Sequence, residues 1–312
     1  MKVVALAGGV GGAKLVDGLA GVLPPEDLSV IVNTGDDFEH LGLTICPDLD
    51  TVTYTLAGLA NPDTGWGRRD ESWSFLDALR TLGGPTWFKI GDRDLALHIE
   101  RTRRLRAGEP LSAVTRTLCE HLGVSTHVLP MTDQPVRTRV LTDGGELGFQ
   151  QYFVERACEP AVRGFRFEGA DQAAPAPGVL EVLRAADLVM FCPSNPWVSL
   201  DPILSISGIR TAIEAKPSIG VSPIVGGKAI RGPAAKMFGE LGIEPTALAV
   251  AEHFRGLLGA LVIDLSDTQL AEPIARLGIR PFVAQTVMLD RSARIALARR
   301  VLEFAAELEP VA

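Results

Sequence analysis

Five short runs rich in Val, Ile and Leu mark the chain, at residues 2–7, 28–33, 187–192, 218–222 and 259–264. Most give way to Gly, Pro, Asn or Ser, and then to a stretch whose apolar positions have helical spacing. Runs that are continuous rather than alternating belong to strands buried on both faces, and alternation with helices supplies the crossovers between parallel strands. The pattern predicts an α/β fold, a doubly wound, mostly parallel Rossmann-like sheet. The middle of the chain breaks it. Between 62 and 135, "ESWSFLDALRTLG", "RDLALHIERTRRLRAG" and "LSAVTRTLCEHLG" read as helices with little strand signal. Residues 136–168 then alternate as antiparallel strands and turn at Asp143-Gly144-Gly145. The expected organisation is a nucleotide-binding domain formed by 1–61 and 170–312, with 62–169 an inserted α+β subdomain and "ADQAAPAPGV", 170–179, the return linker.

Composition narrows the function classes. Of 312 residues 46% are apolar and 22% charged, enough for a sizeable packed core. A net charge of −8 and the lack of a long basic run argue against a nucleic-acid partner; "RTRRLR" at 101–106 reads as a solvated helix face. The apolar run in "MKVVALAGG" breaks into glycines too soon for a signal peptide or a membrane span, so no membrane partner and a cytoplasmic location are expected. Cys46, Cys119, Cys158 and Cys192 form no CxxC pair and suit a reducing compartment as ordinary thiols. His40, His98, His121, His127 and His253 show no metal-ligand spacing; His40, the one near the acidic residues, reads as structural.

The candidate chemistry gathers where strands end. "ALAGGVGGAKL" places Gly8, Gly9, Gly11, Gly12 and Lys14 between the first strand and a helix, where backbone N–H groups can approach an anion. It matches neither GxGxxG, because Lys14 stands where the third glycine belongs, nor the P-loop, because Ala13 precedes and Leu15 follows the lysine. Strand two ends in Asn33 rather than a ribose-binding acid, which weakens a hydride-transfer reading. Asn33, Thr34, Asp36 and Asp37 fall on the same rim, and "CPDLDT" adds Asp48, Asp50 and Thr51. One of the two acids could cap the following helix; both together beside a glycine loop suit Mg²⁺. "KIGDRDLA" brings Asp92, Arg93 and Asp94 to a helix start, where Arg93 could contact a phosphate or an aromatic ring. "PSNP" (Ser194, Asn195) and "SPIVGGKAIRGP" (Ser222, Gly226, Lys228, Arg231) leave two later strands at the same edge. Trp66, Trp73, Trp87 and Phe88 read either as a flat-ring site or as packing of a small helical subdomain.

Ten segments in order resemble the CofD/FbiA family, the 2-phospho-L-lactate transferases of deazaflavin coenzyme F-420 biosynthesis. They are "GGVGGAK", "VNTGDD", "CPDLDT", "GWGRRDESW", "KIGDRDLA", "LRAGEPLS", "LPMTDQPV", "PSNP", "VSPIVGGK" and "AVAEHF". The resemblance implies transfer of a phospho-three-carbon-acid group (phospholactyl, phosphoenolpyruvyl or phosphoglyceryl) from its guanosine diphosphate ester to the ribityl hydroxyl of the deazaflavin Fo. On the same resemblance GMP is expected to leave, Mg²⁺ to assist, and the enzyme to be a homodimer. The resemblance links Asp50 and Arg93 to Fo, with Asp48 beside them. Asp48, Asp50 and Arg93 are therefore the expected catalytic residues, and Asp48 and Asp50 the expected metal ligands. Gly9, Gly11, Gly12, Lys14, Asn33, Asp36, Thr51, Asp92, Ser194, Asn195, Ser222, Gly226 and Lys228 are expected to bind the substrates. No motif reads which acid the donor carries, although "GVGGAK" and "GDD" lean towards enolpyruvate. The alternative is a YvcK-like nucleotide-binding regulator without turnover, which shares the glycine loop but has no use for a deazaflavin pocket.

Overall fold

The computed structural model describes residues 1–230 and 232–307; Arg231, grouped above with Lys228, lies outside them. The chain opens with β1 (Val3–Ala7), α1 (Gly9–Ala20) and β2 (Leu28–Val32). A small hairpin, β3 (Phe38–His40) and β4 (Leu43–Ile45), leads into four helices: α2 (Pro47–Leu56), α3 (Ser74–Thr81), α4 (Asp92–Arg106) and α5 (Leu111–His121). After β5 (His127–Pro130) come β6 (Arg137–Thr142), β7 (Gly145–Gly148) and β8 (Val162–Glu168). Then α6 (Val179–Ala185) precedes β9 (Leu188–Phe191), and α7 (Asp201–Leu204) and α8 (Ile209–Glu214) lead to β10 (Ser218–Val221). A second hairpin, β11 (Ile224–Val225) and β12 (Lys228–Ala229), is followed by α9 (Ala234–Glu240) and α10 (Ala247–His253). The chain finishes with β13 (Ala260–Asp264), α11 (Ala271–Arg276), β14 (Arg280–Ala284) and α12 (Arg291–Ala305).

The main sheet has seven strands in the order β14-β13-β10-β9-β1-β2-β5, and every neighbouring pair is parallel. Side chains of β1 divide between two cores. Val3, Ala5 and Ala7 join one, while Val4 and Leu6 join the other, which is why the run reads as continuously apolar. The chain steps from β1 to β2 on one side and returns to β1's other flank as β9. That reversal is the topological switch point, where open α/β sheets bind ligands beyond the strand ends.

Two strands escape the apolar pattern, β5 and β14, and both are edges of the sheet. Each has an exposed first residue, and each carries a proline, Pro130 and Pro281, which edge positions tolerate. β5 lies inside 62–169, so that segment supplies an edge of the main sheet as well as structure of its own. The separate structure includes an antiparallel sheet, β7-β6-β8. Thr142 pairs with Gly145, so Asp143 and Gly144 form the two-residue turn. Phe165 of β8 stacks on Trp197, ring centres 5.9 Å apart, which seats this sheet against the loop after β9.

Candidate functional site at the switch point

A cavity of ≈ 740 Å³ opens over the C-terminal ends of β1, β2, β9, β10 and β14. Residues following each of those strands line it: Gly8–Gly9, Asp36, Pro193–Asn195, Ser222–Pro223 and Thr286. Its volume lies within the roughly 300–1,000 Å³ of small-molecule sites.

At its floor two loops meet. A Cβ on Gly11 would stand 2.2 Å from the Pro193 carbonyl oxygen, and one on Gly12 2.7 Å from Ser194 Oγ. Only glycine lets α1 approach the 193–195 turn this closely. Ser194 Oγ donates to the Gly8 carbonyl (2.8 Å) and accepts from the Gly8 N–H (3.2 Å). Gly9 has φ +63° and donates its N–H to Asp48 Oδ1 at 2.8 Å. Asn33 donates from Nδ2 to Asp48 Oδ2 (2.9 Å) and to the Val198 carbonyl (3.1 Å). Asp48 thus holds the glycine loop to strand two. Lys14 Nζ, also on the wall, donates to the Met288 carbonyl at 3.0 Å.

α2 begins at Pro47, so Asp48 and Asp50 both lie in its first turn and neither is the N-cap, which is Cys46. Their environments differ sharply. Burial pushes the Asp48 carboxyl up to about 6; the bonds from Asn33 and Gly9 pull against this, and Asp50 adds to it. Asp36 is pushed well above the ordinary carboxylate range, first by burial and then by Asp48, and its Oδ1 has no partner among the described residues. Burial likewise raises Asp37 to about 7. Asp50 is neutralised instead. Arg101 grips it with both guanidinium nitrogens, Nη1 to Oδ2 at 3.1 Å and Nη2 to Oδ1, and the two residues are 3% and 6% exposed.

A connected chain of polar groups continues from that pair. Arg101 Nη1 lies 3.4 Å from His98 Nδ1; because guanidinium only donates, Nδ1 accepts and the neutral imidazole carries its proton on Nε2. His98 Nε2 stands 3.3 Å from Asp94 Oδ2, close enough for an ion pair but too bent for a hydrogen bond as it stands. The Tyr54 hydroxyl donates to Asp94 Oδ1 at 2.6 Å. Burial pushes Asp94 up, but His98, Tyr54 and Arg101 together outweigh it and hold the carboxyl below its ordinary range. Asp50, Tyr54, Asp94 and His98 all line the cavity. Donor atoms of Asp50, Asp94 and His98 fall within 4.8 Å of one another, a spacing that could hold a metal, but the Arg101 charge already occupies Asp50.

Aromatic rings form the remaining walls. Trp87 and Phe88 pack edge to face (5.7 Å) with Phe38 and His40 behind them. Phe149 stacks on Phe153 at 5.6 Å and 11°, and Trp66, 48% exposed, stands at the mouth.

A family model described as 2-phospho-L-lactate transferase CofD matches residues 3–299. The chain belongs to the CofD family. It is 46% identical to a phosphoenolpyruvate transferase of Streptomyces griseus and 41% identical to a 2-phospho-L-lactate transferase of Methanopyrus kandleri, with 99% of each chain covered in both comparisons. A solved structure of a UPF0052-family protein from Bacillus halodurans superposes with a TM-score of 0.61 at 15% identity, covering 96% of this chain and 98% of that one. That likeness shows the shared fold. Membership of the CofD family makes the protein a transferase, and no helix among the described residues is long and apolar enough to cross a membrane.

Within this CofD-family site the structure gathers most of the residues expected from the sequence and disperses the others. Gly9, Gly11, Lys14, Asp36, Asp48, Asp50, Thr51, Ser194, Asn195 and Ser222 line the cavity. Gly12 and Asn33 stand directly behind it as packing and hydrogen-bonding supports. Asn195 caps the turn at Trp197, and Ser222 Oγ closes its own turn onto Ile224. Four residues sit elsewhere. Arg93 is exposed and absent from the cavity wall; it is Asp94, one residue on, that the helix turns inward. Asp92 accepts from Ser72 Oγ and from the Ser74 and Phe75 amides, pinning the start of α3 to that of α4. Gly226, with φ +56°, makes the β11–β12 turn, from which Lys228 points to solvent.

Of the two expected metal ligands, Asp50 faces Arg101 with both oxygens, while Asp48 accepts from Gly9 and Asn33. Two other expectations need correction. "RTRRLR" is a solvated face except at its first two residues, Arg101 and Thr102, which are buried; Arg103 and Arg104 pair with Glu100. His98, not His40, joins the acidic residues. The signal for these was present: positions 94, 98 and 101 are i, i+4 and i+7, one face of a helix. Of Trp66, Trp73 and Trp87, Trp73 alone stays off the cavity wall.

Proposed function

We propose that this CofD-family enzyme transfers a phosphoenolpyruvyl group from its guanosine diphosphate ester to the terminal ribityl hydroxyl of Fo, releasing GMP, in coenzyme F-420 biosynthesis. One observation carries the reading. A single cavity joins an anion-suited end, where the glycine loop opens the 12-residue helix α1, to walls of aromatic rings suited to a flat tricycle. The donor follows the Streptomyces relatives, which carry the phosphoenolpyruvate name at 46% and 44% identity.

In this reading the first turn of α1 and the 193–195 turn receive the diphosphate, and the aromatic walls sandwich the deazaflavin so that its ribityl chain reaches the phosphorus. Phosphoryl transfer of this kind depends on alignment and charge neutralisation more than on a covalent nucleophile. Mg²⁺ fits here on the residues present. Among the described residues Oδ1 of buried Asp36 has no partner, and with Asp48 beside it this is an all-oxygen corner whose raised carboxyls would ionise on a divalent cation. Bound there, Mg²⁺ supplies charge neutralisation for the diphosphate. The homodimer and the cytoplasmic location belong to the same proposal, and sedimentation velocity tests the first.

The deciding experiment supplies enolpyruvate, lactate or glycerate phosphate with a guanylyltransferase, GTP, Fo and Mg²⁺, and follows Fo consumption. Enolpyruvate should be the fastest donor. No consumption with any of the three, combined with tight nucleotide binding and no quenching of Fo fluorescence at tens of micromolar, would favour the YvcK-like regulator instead.

A further inference from the structure

The chain of groups beneath the aromatic wall has no part in holding a nucleotide, yet it is built around one carboxylate. Asp94 is partly open to the cavity, its side chain 13% exposed, and it sits in the first turn of α4, where the helix dipole favours negative charge. Tyr54 fixes Oδ1, and His98 stands against Oδ2. His98 is in turn oriented by Arg101, which is anchored on Asp50. Among the described residues no Lys or Arg is in ion-pair contact with Asp94, so a lone pair on each oxygen remains for a donor arriving from the cavity.

We propose that Asp94 accepts the proton of the attacking acceptor hydroxyl, and that Tyr54, His98 and the Asp50–Arg101 pair are positioning residues that hold its carboxylate ionised and aimed. The inference rests on the transferase reading above and deepens it. As the hydroxyl oxygen forms its bond to phosphorus, its O–H bond breaks and the proton passes to an Asp94 oxygen. The bond from that phosphorus to the GMP oxygen breaks, and GMP departs with the electron pair. Asp94 finishes protonated and returns its proton to water when the product leaves.

The groups that face Asp94 come from several elements, and those that favour its charged form outweigh burial. Asp50 and Tyr54 come from α2, and His98 and Arg101 from its own helix. Glu71 accepts the Asp94 amide N–H at 3.1 Å, and Arg68 lies 5.5 Å above the Tyr54 ring. His40 of β3 faces His98 from the other side. Asp50 and Glu71 are like charges near the carboxylate; Arg101 screens Asp50, and Glu71 is engaged by the Arg93 and Asp94 amides.

The full-length enzyme, assayed with donor, Fo and Mg²⁺, provides the test. Asp94→Asn keeps an acceptor for Tyr54 but cannot take a proton. It should lower kcat by about 100-fold or more, leave KM for Fo within about threefold, and abolish the acid limb of the kcat–pH profile. Added formate should restore part of the rate of Asp94→Gly. Tyr54→Phe removes the hydroxyl donor to the carboxylate, so its acid limb should move to higher pH by about one unit, with the plateau rate largely regained above it. Packing alone would not produce that shift. An Asp94→Asn enzyme with kcat within threefold of wild type overturns the assignment, and so does a Tyr54→Phe profile that does not move. Wild-type turnover in the same assay separates the two levels: its absence counts against the transferase reading, whereas its presence with an unaffected Asp94→Asn counts against the base.

Discussion

Asp50 shows how much a side chain's role depends on its partner. Sequence reasoning gives it a metal or a substrate hydroxyl; the fold gives it a buried arginine. Asp50→Asn therefore leaves the Arg101 charge enclosed with a weaker partner and should destabilise the protein by about 3–5 kcal/mol, towards the lower end because Asn retains one acceptor. Urea unfolding measures this, and a loss under about 1 kcal/mol would show that the pair is not a closed one. The double variant Asp50→Leu/Arg101→Met, which removes both charges, should be more stable than Asp50→Asn alone. A different residue-scale effect comes from Asp37, which burial raises from 3.8 to about 7. The folded state holds that proton more tightly than the unfolded chain, so the contribution is fully present below 3.8 and is lost as pH rises through about 7. Asp37→Asn should accordingly flatten the decline of unfolding free energy across that window, with the difference from wild type widest near neutral pH.

At the level of elements, α1 and the 193–195 turn are pressed together by absent side chains. Gly11→Ala places a methyl group 2.2 Å from a backbone oxygen, so the helix or the turn must move. A cost of about 1–3 kcal/mol and a raised KM for the donor are expected. Gly9→Ala meets nothing within 4 Å and is opposed only by its φ of +63°, about 1–2 kcal/mol. Melting temperatures that rank Gly9→Ala below Gly11→Ala would show the loop contact to be the lesser constraint. The same comparison explains what was legible beforehand. Central strands such as β1 and β9 are buried on both faces and announce themselves in the sequence, whereas β5 and β14 each begin on an exposed polar residue and carry a proline, and do not. Contiguous loops, "GGVGGAK", "PDLD" and "PSNP", could be assigned to the strand ends because the Rossmann-like order places them there. The α2–α4 contact could not. A 94, 98, 101 face is visible in α4 and a 50, 54 face in α2, but periodicity does not say which helix meets which. The resemblance points to Arg93 rather than Asp94, and spacing alone leaves Arg101 among its solvated neighbours.

The whole molecule places the proposed metal corner, Asp36 with Asp48, at one end of the cavity and a charge-balanced network at the other. Removal of divalent metal should therefore stop transfer without unfolding the protein: excess EDTA abolishes turnover while the circular dichroism spectrum is retained. Asp36→Asn should raise the Mg²⁺ concentration needed for half-maximal rate by about tenfold or more, as loss of one anionic ligand implies. Full turnover in EDTA would remove the metal from the reaction. The switch point that creates this cavity also sets an order of events during synthesis. β1 is the first strand made and the most central but one, yet one of its flanks is closed only by β9, Val3 against Leu188. At about 5–20 residues per second, some ten to forty seconds separate the two strands on the ribosome. Through that interval the nascent chain carries an open apolar edge that its own later half must cover, so the enzyme's yield in a cell rests on whatever shields β1 while it waits.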